Sequence, residues 1–292
     1  MLGFLNLDKP PGWTSHDCVA KVRSILKTKR VGHGGTLDPM ATGVLPIAVG
    51  QATRLLPYLP ENKAYRASIK FGVTTTTDDV EGEIITSSPC HDLRLEEVAP
   101  YLQHFLGKIE QIPPMYSAIQ VNGQRLYKLA RQSQTIDVPS REVEIYRIQV
   151  LGWQEGEFPL LEVSIACGSG TYIRSIARDL GKMLHRGATL ASLSRTSSCG
   201  MELDGSVTLD RLSEAKNSAL IPPSAVLAYL KSLILSDQEV KKWLQGQKLS
   251  LSSGETPDSF VGVYSEAEQF LGIGTVQINE DSYELRPKVV LA

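Results

Sequence analysis

The residues with the clearest chemical potential lie in one stretch of fourteen, Gly32-His33-Gly34-Gly35-Thr36-Leu37-Asp38-Pro39-Met40-Ala41-Thr42-Gly43-Val44-Leu45. Four glycines and a proline exclude a helix interior and suit a shaped loop, because glycine reaches backbone angles that strain other residues. Asp38 is the only acid between Asp17 and Glu61, and Pro39 restricts its backbone to extended conformations. A carboxylate aimed in this way is equipped for nucleophilic or proton-transfer work. The ordinary alternative is an Asp-Pro turn, and the loop alone does not choose between them.

Several elements must position this loop. Val44 to Val49, closed by Gly50, is an apolar run that reads as a buried strand. Upstream, Leu2 to Leu7 forms a strand ending in the turn Lys9-Pro10-Pro11-Gly12-Trp13, and Thr14 or Ser15 caps a helix over Asp17 to Lys27. That helix turns Val19, Val22, Ile25 and Leu26 inward and ends in the basic run Lys27-Thr28-Lys29-Arg30. Downstream, Gln51 to Leu56 is a helical turn, Ala64 to Phe71 alternates as a strand, and Val80 to Thr86 reads as its neighbour across a polar turn. Leu93 to Leu106 reads as an amphipathic helix and 142–153 and 160–167 as strands. A helix opening at Gly168 to Arg174 runs to Leu184, followed by a strand over Ala188 to Ser198. Long strands alternating with separate helices, without regular βαβ units, indicate an α+β fold built on a mixed sheet. The main domain covers 1–230. Residues 236–292, with a short helix at Asp237 to Gln245 and short strands around 260–264, 270–276 and 288–291, form a small β-rich unit.

A chain of 292 residues with 42% hydrophobic composition can bury a substantial core. No apolar stretch approaches the roughly 18 residues of a membrane span, and the start lacks a basic leader, so a cytoplasmic location is expected. Cys18, Cys90, Cys167 and Cys199 show neither disulfide nor zinc spacing. The net charge is −2, but residues 1–70 hold ten Lys/Arg against four Asp/Glu, and residues 71–115 hold two against eight. Asp38 therefore sits in a basic third of the chain, compatible with a groove for a phosphate backbone. Ordinary surface solvation accounts equally well for the segregation.

Read together, Lys9-Pro10-Pro11-Gly12-Trp13-Thr14-Ser15, Gly32 to Pro39, Pro114-Met115-Tyr116-Ser117-Ala118 and Gly170-Thr171-Tyr172-Ile173-Arg174 closely resemble the motifs of the TruB family of tRNA pseudouridine synthases. The resemblance extends over essentially the whole chain, with 236–292 similar to the PUA-like domain that closes bacterial members. Two departures are visible: Gln120 stands where many members carry lysine, and 236–292 holds nine acids against five bases.

The resemblance implies a pseudouridine synthase fold, with a mainly antiparallel mixed sheet flanked by helices. It also implies isomerisation of uridine to pseudouridine at position 55 in the T loop of tRNA, with no metal or cofactor and a monomeric enzyme. Asp38 is then the nucleophile, Arg174 its guanidinium partner, and Tyr65 the aromatic that stacks on the target base and helps remove the C5 proton. Tyr172 and Leu193 line the uracil pocket. His33 fills the gap left by the extruded base. Lys9, Arg23, Lys29, Arg30, Arg54 and a basic insertion near 120–141 that includes Arg125, Lys128 and Arg131 contact phosphates. Without the resemblance, Tyr65, Tyr172 and Leu193 read as core residues and Arg174 as a surface residue. A carboxylate-based nucleosidase, a non-catalytic RNA-binding or RNA-folding protein, and a guide-RNA-dependent relative are the competing readings. The first needs a second acid near Asp38, and the third is expected to carry a strongly basic tail.

Overall fold

The computed structural model of the chain describes residues 1–117, 120–121, 124–126, 138–251, 259–279 and 282–291. The strand β1 (Leu2–Lys9) leads through the Pro-Pro-Gly turn to α1 (Ser15–Leu26), then to β2 (Val31–His33) and β3 (Thr42–Gly50). Thr14 caps α1 by accepting from the Asp17 amide while Asp17 reaches back to Thr14, a reciprocal capping box. A 3-10 segment, Gln51–Tyr58, precedes β4 (Lys63–Phe71), and β5 (Val73–Thr75) pairs with β6 (Ile84–Ser87) in a hairpin. After a short helix α2 (Leu95–Val98) come β7 (Gly107–Gln111), the paired β8 (Gln120–Val121) and β9 (Gln124–Arg125), and the long β10 (Arg141–Gln154) and β11 (Leu160–Cys167). The helix α3 (Ile173–Met183) precedes β12 (Ala188–Ser198) and β13 (Met201–Glu202).

Among the described residues these strands make one nine-stranded sheet in the order β1-β3-β12-β4-β11-β10-β7, with β2 on β3 and β13 on β12. Pairing is antiparallel throughout except where β3 runs parallel to β12, at Thr42 opposite Ser194 and Gly43 opposite Arg195. That junction is tight: a Cβ on Gly43 would stand 2.3 Å from the Arg195 carbonyl oxygen. The mixed, mainly antiparallel α+β sheet expected from the sequence is the one observed.

β3 reads as a continuous apolar run because both of its faces are covered. Leu45, Ile47 and Val49 pack with Val19, Val22 and Leu26 of α1. Val44 and Ala48 face the other way, into a cluster with Phe4, Leu55, Ile273, Val289 and Leu291. Ile273 and Val289 belong to, and Leu291 directly follows, a second sheet of five strands, ordered β14 (Lys231–Leu235), β16 (Phe260–Ser265), β17 (Phe270–Asn279), β18 (Ser282–Val290) and β15 (Leu249–Leu251). Residues 231–235, unassigned in the sequence reading, thus form its edge strand. A helix over Asp237–Leu244 places Trp243 in the centre of this unit, its indole N–H donating to the Leu271 carbonyl at 3.1 Å.

Two expectations need correction. Residues 80–86 do not pair with β4, whose neighbours are β12 and β11. The turn 76–83 lies instead between β12, where Asp79 bridges Leu190, and α3, where Asp78 meets Arg178 at 3.0 Å and Asp79 meets Arg174 at 3.5 Å. The stretch 93–106 is also not one helix: α2 gives way to a 3-10 segment, Ala99–Phe105. Pro100 lacks an amide hydrogen and interrupts the α ladder there. Leu93, Val98, Leu102 and Phe105 are nevertheless buried beside Ile176 and Leu180 of α3.

Candidate active site

Successive residues of the 34–41 loop are held by different elements. The Gly34 amide donates to the Pro46 carbonyl at 2.8 Å, and Arg195 donates to the carbonyls of Gly35 at 3.0 Å and Thr36 at 3.4 Å. Ser15 both accepts from the Leu37 amide at 2.9 Å and donates to its carbonyl at 3.2 Å. Pro39 offers its carbonyl to the Gly12 amide at 2.9 Å and to Lys9 Nζ at 3.0 Å. A loop tied on both sides of Asp38, at residues 34–37 and at Pro39, presents the Asp38 side chain from a fixed backbone, so its aim does not depend on bound substrate.

Lys9 is the clearest departure from expectation. It is fully buried, and its ammonium donates to the carbonyls of Pro10 at 2.9 Å, Trp13 at 2.6 Å and Pro39 at 3.0 Å. All three donors are taken, so Lys9 is an internal tie between the 9–13 turn and the Asp38 loop, not a phosphate contact. Burial lowers its pKa.

Asp38 and Arg174, 136 residues apart in sequence, are brought together side by side. Arg174 Nε lies 3.0 Å from Asp38 Oδ2, and Nη2 donates to Oδ1 at 3.2 Å. The guanidinium is 4% exposed, whereas the Asp38 side chain is 34% exposed, so the carboxylate keeps an open side. Arg174 also donates from Nη1 to the Thr77 carbonyl at 3.1 Å and from Nη2 to the Tyr116 carbonyl at 3.0 Å. A second acid, Asp79, also meets Arg174. It is buried, accepts from Thr77 Oγ1 at 2.5 Å and from the Glu81 amide at 3.1 Å, and was not singled out by sequence. Burial pushes the Asp38 carboxyl above its ordinary pKa; Arg174 pulls it back, and Asp79 pushes further up.

Around this pair, Tyr65 on β4 is buried with Leu37, Leu193 and Ile173 and stands opposite Arg195 of β12. Burial raises its pKa, while the Arg195 guanidinium beside the ring draws it down. Leu193 is buried in the same cluster, opposite Ala67. Tyr172 caps α3 without a side-chain cap of its own; Gln111 from β7 supplies the equivalent, accepting from its amide at 2.8 Å and donating to its carbonyl at 3.1 Å. The half-buried ring packs with Met115, Leu126 and Val138. His33 is half-buried, accepts from the Gly35 amide at 3.3 Å and meets His16 edge-on at 5.5 Å. Burial, His16 and Arg195 all lower its pKa, which favours the neutral ring.

Among the basic residues, Arg54 is exposed but donates from Nη1 to the Val290 carbonyl at 2.7 Å, tying the 3-10 segment after β3 to β18. Arg23 and Arg30 are exposed and tether the start of β2 and the 3-10 segment after β3, through Val31 and Thr53; Lys29 is exposed. The backbone of Arg125 lies in β9; its side chain, like Lys128 and Arg131, lies outside the described residues. Among the described residues no group of three or more His, Cys, Asp or Glu is gathered as for a metal ion, and no helix is long and apolar enough to cross a membrane.

Besides Asp79, sequence reading missed Arg195, fully buried on β12. It donates to Val44 at 2.7 Å as well as to Gly35 and Thr36. A lone arginine in a strand with Leu190 and Leu193 turned inward was the available signal.

Comparison with known proteins places this arrangement. Residues 23–173 match the model of the TruB family pseudouridylate synthase N-terminal domain, and residues 232–291 match that of the pseudouridine synthase II TruB C-terminal region. The chain is 59% identical over 292 residues to tRNA pseudouridine synthase B of Microcystis aeruginosa, covering 100% of this chain and 99% of the relative. It is 52% identical to the Synechocystis protein of the same name, covering all of both chains. Among solved structures, a Cbf5-Nop10-Gar1 complex contains a chain that matches with a TM-score of 0.74 and 26% identity over 99% of this chain and 84% of that one. The geometry around Asp38 therefore sits on the fold and within the sequence of a defined enzyme group: the chain belongs to the TruB family of pseudouridylate synthases.

Proposed function

We propose that this chain isomerises uridine to pseudouridine at position 55 in the T loop of tRNA, with Asp38 as nucleophile. The observation that carries the assignment is the Asp38–Arg174 pair, in which a buried guanidinium grips a carboxylate that still has an open side. Arg174 opposes the effect of burial and favours the ionised form of Asp38. The N1–C1′ glycosidic bond breaks, the uracil turns over, and C5 joins C1′; the C5 proton leaves and N1 gains one, so the formula is unchanged. Covalent attachment to Asp38, at C1′ or at C6, holds one fragment through that rotation. Tyr65, with Arg195 beside its ring, stacks on the target base and helps remove the C5 proton in this reading. Leu193 and Tyr172 bound the pocket.

A uridine reaches this site only after leaving the T-loop stack, at a cost of a few kcal/mol. Neutral His33 presents an aromatic face to fill the vacated position. The exposed Arg23, Lys29 and Arg30 supply sequence-independent phosphate contacts, and the chain acts as a cytoplasmic monomer.

The test is a T-arm stem-loop transcript incubated with wild type and with Asp38→Asn, assayed for pseudouridine and for free uracil. Pseudouridine from wild type alone is expected. Product from both proteins removes Asp38 from the nucleophile's role, and release of free uracil points to a nucleosidase. For that competing chemistry, Asp79 is the second acid in the cluster. Its carboxylate is 5% exposed and engaged by Arg174, Thr77 and the Glu81 amide, which leaves no open face for a leaving group.

A further inference from the structure

One cation beside the active site has no partner of its own. Lys63, at the start of β4, is half-buried, and its side chain forms no hydrogen bond or ion pair among the described residues. Its ammonium stands over Gly35. A Cβ on that glycine would lie 3.7 Å from Lys63 Nζ and 3.5 Å from Arg195 Nη1, so the two cations meet over bare backbone, Arg195 fully enclosed and Lys63 the outer of the two. Neither cation has a carboxylate within ion-pair distance among the described residues. Arg195 directs Nε, Nη1 and Nη2 to the carbonyls of Val44, Thr36 and Gly35, whereas the three donors of Lys63 remain free.

A partly buried, unpaired ammonium is unfavourable. Burial and then Arg195 lower the pKa of Lys63; the Cys199 and Cys167 thiols and Glu61 push weakly the other way. A cation kept under those conditions is one that an anion completes. The placement also fits the substrate. Lys63 and Tyr65 point to the same face of β4, two residues and therefore about 6.6 Å apart, and Tyr65 is close enough to Asp38 to feel its charge. In the proposed reaction the base lies on Tyr65 and the ribose at Asp38, which leaves a backbone phosphate of the same nucleotide to be held by a neighbouring cation. Building on the functional assignment above, we propose that Lys63, with Arg195 behind it, receives one of the two phosphodiesters that bracket the everted uridine, and so positions the substrate for attack.

A double-mutant cycle with chemically modified RNA tests this, using the full chain carrying Asp38→Asn so that binding is read without turnover. The stem-loop carries an uncharged methylphosphonate either 5′ or 3′ of the target uridine, and the protein carries Lys63 or Lys63→Met. Lys63→Met is expected to bind the unmodified stem-loop about tenfold to a hundredfold more weakly and to show a shallower salt dependence, by about one phosphate contact. Its thermal midpoint is expected to stay level or rise. At one of the two positions, the methylphosphonate weakens the Lys63 protein by a similar factor and leaves Lys63→Met unaffected. Lys63→Arg recovers part of the binding. Additive losses at both positions, or unchanged binding by Lys63→Met, overturn the proposal. A fall in thermal midpoint with no coupling assigns Lys63 a structural role instead and overturns it equally. Pseudouridine formation by the wild-type chain on unmodified RNA tests the underlying assignment separately.

Discussion

Two buried arginines flank the Asp38 loop and are compensated in opposite ways. Arg174 faces carboxylates, Asp38 at 3.0 Å and Asp79 at 3.5 Å. Arg195, also buried, donates to three backbone carbonyls and has no acid within ion-pair distance among the described residues. The first arrangement holds a reactive charge and sets two carboxylates against one guanidinium, so it leaves no positive excess. The second fixes backbone shape and leaves a net positive end on the same pocket. A nucleotide has the same polarity, with an uncharged base and sugar to be attacked and an anionic phosphate to be held. The loop between the arginines is thus matched at one end to the chemistry and at the other to the handle.

If that contrast is right, conservative changes at the two arginines fail in different ways. Arg174→Lys keeps the charge but loses the planar fork, and should reduce kcat on a T-arm substrate by about a hundredfold or more while stem-loop binding is retained. Equal losses in kcat and binding would erase the distinction. Arg195→Met leaves three carbonyls without their donor, and should lower stability by about 3 kcal/mol, read as a drop in denaturant midpoint at unchanged m-value. An unchanged midpoint would show that the loop holds its shape without it. His33→Ala should weaken stem-loop binding by about tenfold, in the range of one lost base–aromatic stack. His33→Phe should restore most of that loss at every pH from 6 to 8, because the ring is used in its neutral form; a strictly histidine-dependent affinity would contradict this.

The smallest effect concerns pH. Burial raises the Asp38 pKa and Asp79 adds to the rise. The ionised form is the active one, so the acid limb of kcat/KM should lie above the ordinary carboxylate range. Asp79→Asn removes one cause of the rise and should move that limb to lower pH, with a modest loss at the plateau. Movement to higher pH would mean that Asp79 acts mainly by anchoring Arg174.

The sequence carried the loop, most of the strands, both longer helices and the two members of the central pair, because these are written in local composition and in motifs that name their partners. It misled where burial decides. Lys9 beside Pro-Pro-Gly has the composition of an exposed turn, and only the folded chain shows its ammonium enclosed by three carbonyls. Asp78 and Asp79 look alike in a polar turn, yet one reaches Arg178 and the other the Asp38–Arg174 pair. Which neighbour takes which side chain is set by α3, a hundred residues away. The same long-range contacts explain why 80–86 does not pair with β4 as its alternation suggested.

The shared cluster beneath β3 also bears on how this protein comes into being at the ribosome. Val44 and Ala48 are synthesised early, but the Ile273, Val289 and Leu291 side chains that cover them follow more than two hundred residues later. Contacts so distant along the chain close slowly, and until they do one apolar flank of the central strands stays open to water. A nascent chain of this design has an extended window in which chaperone capture competes with self-association, and removing β18 should lengthen that window indefinitely.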